Sequence, residues 1–126
     1  MSENELSNLI IGAAIEVHKE LGGPGLLEDI YEEALCQELV SRGLRVERQV
    51  PVPVMYKGRR LKRPLVLDIL VEDKVIIEVK AVEKTIPVFG AQLLTYLRLS
   101  GKKLGLLINF GETRVSEGIQ RVVNHL

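Results

Sequence analysis

Apolar residues recur at Leu6, Leu9, Ile10, Ala13, Val17 and Leu21. That three-and-four spacing marks one face of a helix and predicts one from about Glu5 to Leu21. "LGGPG", Leu21 to Gly25, stops it, because its glycines and proline disfavour continuation. A second helix is predicted from about Leu27 to Ser41, with Ile30, Ala34, Leu35 and Leu39 on its apolar side and Gly43 as terminator. The period then changes. In "RVERQVPVPVMY", Val46, Val50, Val52 and Val54 share one parity while Pro51 and Pro53 fall on the other. Proline cannot donate to a ladder, so this strand is expected at a sheet edge. "YKGRR" turns the chain into "LVLDILVEDKVIIEVKA", Leu65 to Ala81, which reads as two strands joined at Glu72–Lys74. A third helix over about Val88–Leu99, a strand "LGLLINF" and a last helix over about Ser116–Val123 complete the order α-α-β-β-β-α-β-α. A meander followed by a helical crossover to another strand predicts an α/β (α+β) fold, a mixed central sheet flanked by helices. No repeat, low-complexity tract or linker interrupts the pattern, so residues 1–126 are expected to form one domain.

Composition narrows the class. A hydrophobic content of 46% is that of an ordinary globular protein. No apolar run reaches the roughly 18 residues needed to span a membrane, and no membrane partner is expected. "MSENELSNL" lacks the basic and apolar regions of a secretory signal. The one cysteine, Cys36, permits no internal disulfide, which fits a reducing cytoplasm. With only His18 and His125 beside it, a structural zinc site is not expected.

The net charge of zero conceals a division. Residues 1–38 carry nine acids and one base, Lys19, whereas residues 42–63 carry eight bases and one acid, Glu47. A basic cluster such as "YKGRRLKR", with Arg59, Arg60, Lys62 and Arg63, can attract phosphates even in a neutral molecule. A solvated hairpin with basic ends is the plainer reading, and both stay open.

The most water-averse segment contains Asp68, Glu78 and Lys80. If Asp73 is the centre of the hairpin, Asp68 lies opposite Glu78 on one face, with Cβ atoms about 5 Å apart. Lys80, two residues on, shares that face, and Val66, Leu70 and Ile76 wall the cluster. Two adjacent, partly buried carboxylates repel each other. A divalent cation between them removes the penalty, and hard oxygen ligands suit magnesium or manganese. A buried Glu78–Lys80 ion pair, with Asp68 capping a group nearby, is the structural alternative.

Asp68 followed after nine residues by Glu78-Val79-Lys80 resembles the D…(D/E)xK core of the PD-(D/E)XK nuclease superfamily, with Leu67 in place of the proline before the aspartate. "GLLEDIY" (Gly25, Glu28, Tyr31) is similar to the GxxE element of the RecB-like branch, and gives the pattern that names the small GxxExxY proteins. "QLLTY" (Gln92 to Tyr96) is similar to the branch's QxxxY element. The likeness extends over nearly the whole chain and implies a restriction-endonuclease-like α-β-β-β-α-β core. It implies Asp68, Glu78 and the carbonyl of Val79 as ligands of Mg2+ or Mn2+, with Glu28 completing the acidic site directly or through water. Lys80 would orient or deprotonate the attacking water and stabilise charge on the phosphate. Gln92 and Tyr96, on one face of the third helix, would approach the metal and the substrate. Phe89-Gly90 stands where similar chains commonly carry polar residues, often His-Glu. The activity implied is metal-dependent hydrolysis of phosphodiester bonds in DNA. A catalytically weak nucleic-acid-binding module and a protein-interaction scaffold on the same fold are the alternatives. In so short a chain, substrate binding falls to the basic strand region, a partner or a second subunit, as in a homodimer.

Overall fold

The computed structural model describes residues 1–126. Helix α1 spans Glu3–Glu20 and starts two residues earlier than the apolar pattern suggests. The reason is a capping box: Glu5 N–H donates to Ser2 Oγ and Ser2 N–H donates to the Glu5 carboxylate. Its buried stripe includes Ser7, Ala14 and His18, while Leu9 and Leu21, expected inside, are exposed. His18 Nε2 lies 3.1 Å from the carbonyl oxygen of Phe110, which accounts for a histidine in the core.

Helix α2 spans Glu28–Ser41. Ile30, expected on its apolar side, is exposed, and Tyr31 is fully buried instead. The Tyr31 ring stacks on Phe110 at 4.7 Å between centroids. Its hydroxyl donates to Gly23 O at 2.7 Å and accepts from Leu26 N–H at 3.2 Å, pinning the α1–α2 loop. Gly25 takes φ 117° in that loop, a conformation that glycine adopts readily and L side chains resist. Tyr31→Phe keeps the packing but orphans both main-chain groups, so it should cost about 1–2 kcal/mol, read from the urea midpoint.

Strands β1 (Val46–Val52), β4 (Leu65–Val71), β5 (Val75–Lys80), β6 (Leu104–Asn109) and β7 (Ile119–Val123) form one sheet in the order β1-β4-β5-β6-β7. Only β5 and β6 are parallel, joined by helix α3 (Pro87–Ser100) as crossover. Helices α1 and α2 cover one face around Leu35, Ile77, Leu106 and Phe110. Helix α3 covers the other around Leu70, Ile76, Leu93 and Leu107. Both faces of β5 and β6 are therefore buried, which is why these segments are nearly continuous in apolar residues.

Three expectations need correction. The predicted strand through Tyr56 ends at Val52; Met55–Tyr56 (β2) instead pairs with Arg59–Arg60 (β3) as a separate two-stranded sheet. Pro53, with no N–H, breaks the ladder. The predicted last helix is a 3-10 turn, Val115–Gly118, followed by β7, which pairs with β6 and closes its edge. Finally, Val46, Val50 and Val52 do not share a face: Val46 packs towards α1 and α2, Val50 and Val52 towards α3. Gln49 between them takes φ 54°. On β4 the same slip occurs, with Ile69 and Val71 on the α1–α2 side and Leu67 on the α3 side. The two strands nevertheless stay in step, Arg48 facing Ile69 and Val50 facing Leu67. Asp68 sits at the slip.

Candidate active site

The β4–β5 hairpin turns through Glu72 and Asp73, both at positive φ. Its pairs are Val71–Val75, Leu70–Ile76 and Ile69–Ile77, the register read from a centre at Asp73. The next position brings Asp68 to Glu78, and there the side chains replace the ladder. Asp68 N–H donates to Glu78 Oε1 at 3.3 Å, and Val79 N–H donates to Asp68 Oδ2 at 2.9 Å. The carboxylates thus lie in the gap between the strands, each held by the opposite main chain. Of the expected walls, Leu70 and Ile76 are buried beneath, whereas Val66 is exposed because the slip at Asp68 turns it outward.

Glu78 is 8% exposed. Burial, and then the negative charge of Asp68, push its pKa from 4.5 up to about 8. Lys80 acts in the opposite direction, favouring the ionised form of Glu78. Yet Lys80 forms no ion pair with any carboxylate. Its ammonium lies 4.8 Å from the centroid of the Phe89 ring, a cation–π contact. The alternative of a structural Glu78–Lys80 pair is not what the geometry shows. Phe89 therefore supports the lysine. Its neighbour Gly90 is buried on α3, and the end of the exposed Gln120 side chain of β7 folds over it.

Glu28 opens α2 and is solvent-exposed at one side. Burial of its inner side raises its pKa, Lys80 lowers it, and Asp68 raises it again, so the site's charges reach it. Tyr96 is half-buried on α3; burial, Glu78 and Asp68 all hold its phenol protonated to higher pH. Gln92, one turn before it, is exposed and makes no side-chain hydrogen bond within the chain. Arg59 and Arg60 lie on β3, with Lys62 and Arg63 just after, all exposed on the separate hairpin. These four are not drawn into the carboxylate cluster.

Several groups here escaped the sequence reading. A cleft of about 500 Å3 is lined by Leu27, Glu28, Asp29, Glu32, Gln49 and Asp68. Glu32 is buried, and its carboxylate accepts from Arg48 Nε at 2.7 Å and Gln49 Nε2 at 2.8 Å. Burial raises its pKa while the Arg48 hydrogen bond restrains it. Glu32 follows Glu28 by four residues, so their shared helical face was available as a signal; nothing local announced Gln49. Cys36, pushed up to about 11 by burial, is a poor nucleophile.

No three His, Cys, Asp or Glu side chains converge into a ready-made metal cage. The donor chemistry still fits magnesium, which is ordinarily held by one or two carboxylates and completed by water and substrate phosphate. Asp68 and Glu78 could supply that pair, since each has one oxygen that no protein donor reaches.

The sequence model of the PD-(D/E)XK nuclease superfamily matches residues 4–122. The five-stranded mixed sheet with helices on both faces agrees with a restriction-endonuclease-like fold. No curated protein and no solved structure matches the chain. No helix is long and apolar enough to cross a membrane.

Proposed function

We propose that this chain, which belongs to the PD-(D/E)XK nuclease superfamily, is a metal-dependent nuclease that hydrolyses phosphodiester bonds of DNA. The observation that supports this reading most is an unpaired lysine beside two abutting carboxylates, one with a strongly raised pKa. As a purely structural device the pair satisfies two main-chain N–H groups, which neutral side chains would do without the cost of adjoining buried charges. As a catalytic device it is a place for a divalent cation and a free ammonium next to it.

On this reading residues 1–126 act as one domain, with Asp68, Glu78 and the Val79 carbonyl as the metal's protein ligands and Glu28 acting through water. When bound, Mg2+ or Mn2+ would lower the pKa of its water and neutralise charge that develops on the phosphate. Lys80 would orient the attacking water and donate to a phosphate oxygen, which gains charge in the transition state. Tyr96, with Gln92 one turn away, positions the phosphate. Arg59, Arg60, Lys62 and Arg63 bind the backbone of the nucleic acid. The GxxExxY pattern, read with Gln92 and Tyr96, supports a reading of the chain as a member of the RecB-like branch. Its one-cysteine composition agrees with a cytoplasmic setting, and a homodimer would double the basic surface.

The test is to incubate labelled linear, circular, single-stranded and branched DNA with the protein, with and without Mg2+ or Mn2+. Metal-dependent product from at least one substrate is expected; none with any of them would refute the reading. Binding should also weaken steeply with salt. Alanine at all four basic positions should flatten the logarithmic salt slope by roughly three to four, near one unit per lost phosphate contact. An unchanged slope would make the basic cluster a solubilising surface only.

A further inference from the structure

We propose that the β2–β3 hairpin is an arm that enters the major groove, which makes double-stranded B-form DNA the substrate class. This rests on the nuclease reading above and goes beyond it in choosing duplex over single strands and DNA over RNA. The hairpin belongs to neither layer of the fold. Its strands pair only with each other, and every residue from 55 to 64 is exposed. Between Arg48 and Asp68 there is no acid, while Lys57, Arg59, Arg60, Lys62 and Arg63 supply five cations. None of the five is in an ion pair.

The distribution of charge on the ribbon carries the argument. Met55 faces Arg60 and Tyr56 faces Arg59. Directly opposed residues project from the same face, and successive ones from opposite faces. Each face of the ribbon therefore carries one arginine. A ribbon lying flat on nucleic acid needs cations on one face only. One inserted between two rows of phosphates meets them on both.

The dimensions agree. Two strands about 5 Å apart, with side chains on both faces, fit a groove about 12 Å wide and 8.5 Å deep. The tip is narrow, because Lys57 (φ 48°) and Gly58 (φ 79°) make a two-residue turn whose twist matches the ribbon. Leu61 N–H donates to Val54 O at 2.9 Å, extending the pairing towards the base. Pro51, Pro53 and Pro64 line a cleft at that base with Arg60, Leu61 and Lys62, and their fixed φ angles stiffen the stem. The stem continues the Val52–Leu65 pair of the main sheet. Asp68 lies three residues further along β4, about 10 Å away at strand rise, so a seated arm holds a duplex beside the carboxylates. A-form RNA presents a deep, narrow major groove that such a ribbon cannot enter.

Fluorescence anisotropy in chelator, where no cutting occurs, tests this with one sequence as duplex DNA, duplex RNA and single-stranded DNA. Duplex DNA is expected to bind at least about 10-fold more tightly than the other two. Arg59→Ala and Arg60→Ala should each weaken it by a similar factor and each lower the salt slope by about one. Equal affinity for the three nucleic acids, or no binding at all, overturns the proposal. So does a loss confined to one arginine, the mark of a ribbon lying flat. If metal-dependent cutting persists in any of those cases, the nuclease reading survives the failure of the arm. If duplex binding is as predicted but nothing is cut, the arm survives and the nuclease reading fails.

Discussion

Lys80→Ala should reduce turnover by about 10²–10³-fold, the usual cost of removing one preorganised donor to transition-state charge. The fold and the metal affinity should stay close to those of the parent. The structural consequences are small because Lys80 is paired with no carboxylate. Its loss removes a contact with the Phe89 ring, worth about 0.5–1 kcal/mol. Had Lys80 been half of a buried ion pair, the same change would strand Glu78 and cost about 3–5 kcal/mol. Rate and melting temperature together separate the two cases. A variant that cuts DNA at the parent rate would sink the catalytic role, and one that fails to fold would restore the ion pair.

Glu78→Gln should make the protein more stable and inactive. Between the ordinary value of 4.5 and about 8, the native state keeps a proton on Glu78 that the unfolded chain has released. The contribution of Glu78 is thus fully present below about pH 4.5 and declines as pH rises towards 8, by up to about 1.4 kcal/mol per unit. Glutamine is neutral at every pH and still accepts from Asp68 N–H. In chelator at pH 7 the variant should gain on the order of 2 kcal/mol, roughly 5–8 °C in Tm, and its stability should lose the decline over that window. Magnesium should raise the Tm of the parent and leave the variant nearly unmoved. A metal held by Glu78 would displace its proton, so on this proposal affinity should tighten with pH up to about 8. A Glu78→Gln protein that melts lower than the parent in chelator would contradict this account of the carboxylate pair.

The hairpin register was legible because two β-branched runs flank a short charged turn, leaving one centre, Asp73, that buries both runs. The acid–acid–lysine set followed from that register. The last strand was not legible. Ile119, Val122 and Val123 imitate helical spacing, but on a strand a separation of three sends side chains to opposite faces. Ile119 packs in the α1–α2 layer and Val122 in the α3 layer, so a sheet with a core on each face accepts a pattern that an isolated segment would spend on a helix. The slip at Gln49 and Asp68 was equally hidden. It depends on a left-handed residue on β1 facing a carboxylate on β4, and no local propensity encodes that pairing. Gln49 and Arg48 thus entered the site region from tertiary structure alone, holding Glu32. Phe89 looked like a departure from a polar pattern, whereas its ring sits under the Lys80 ammonium.

The most direct measurement is a magnesium titration of DNA cleavage by protein first stripped with chelator, run beside Asp68→Asn. The account predicts no product without metal, a rise in rate that saturates as Mg2+ is added, and no product from Asp68→Asn at any concentration. Cleavage that proceeds in chelator, or that survives Asp68→Asn, would contradict it.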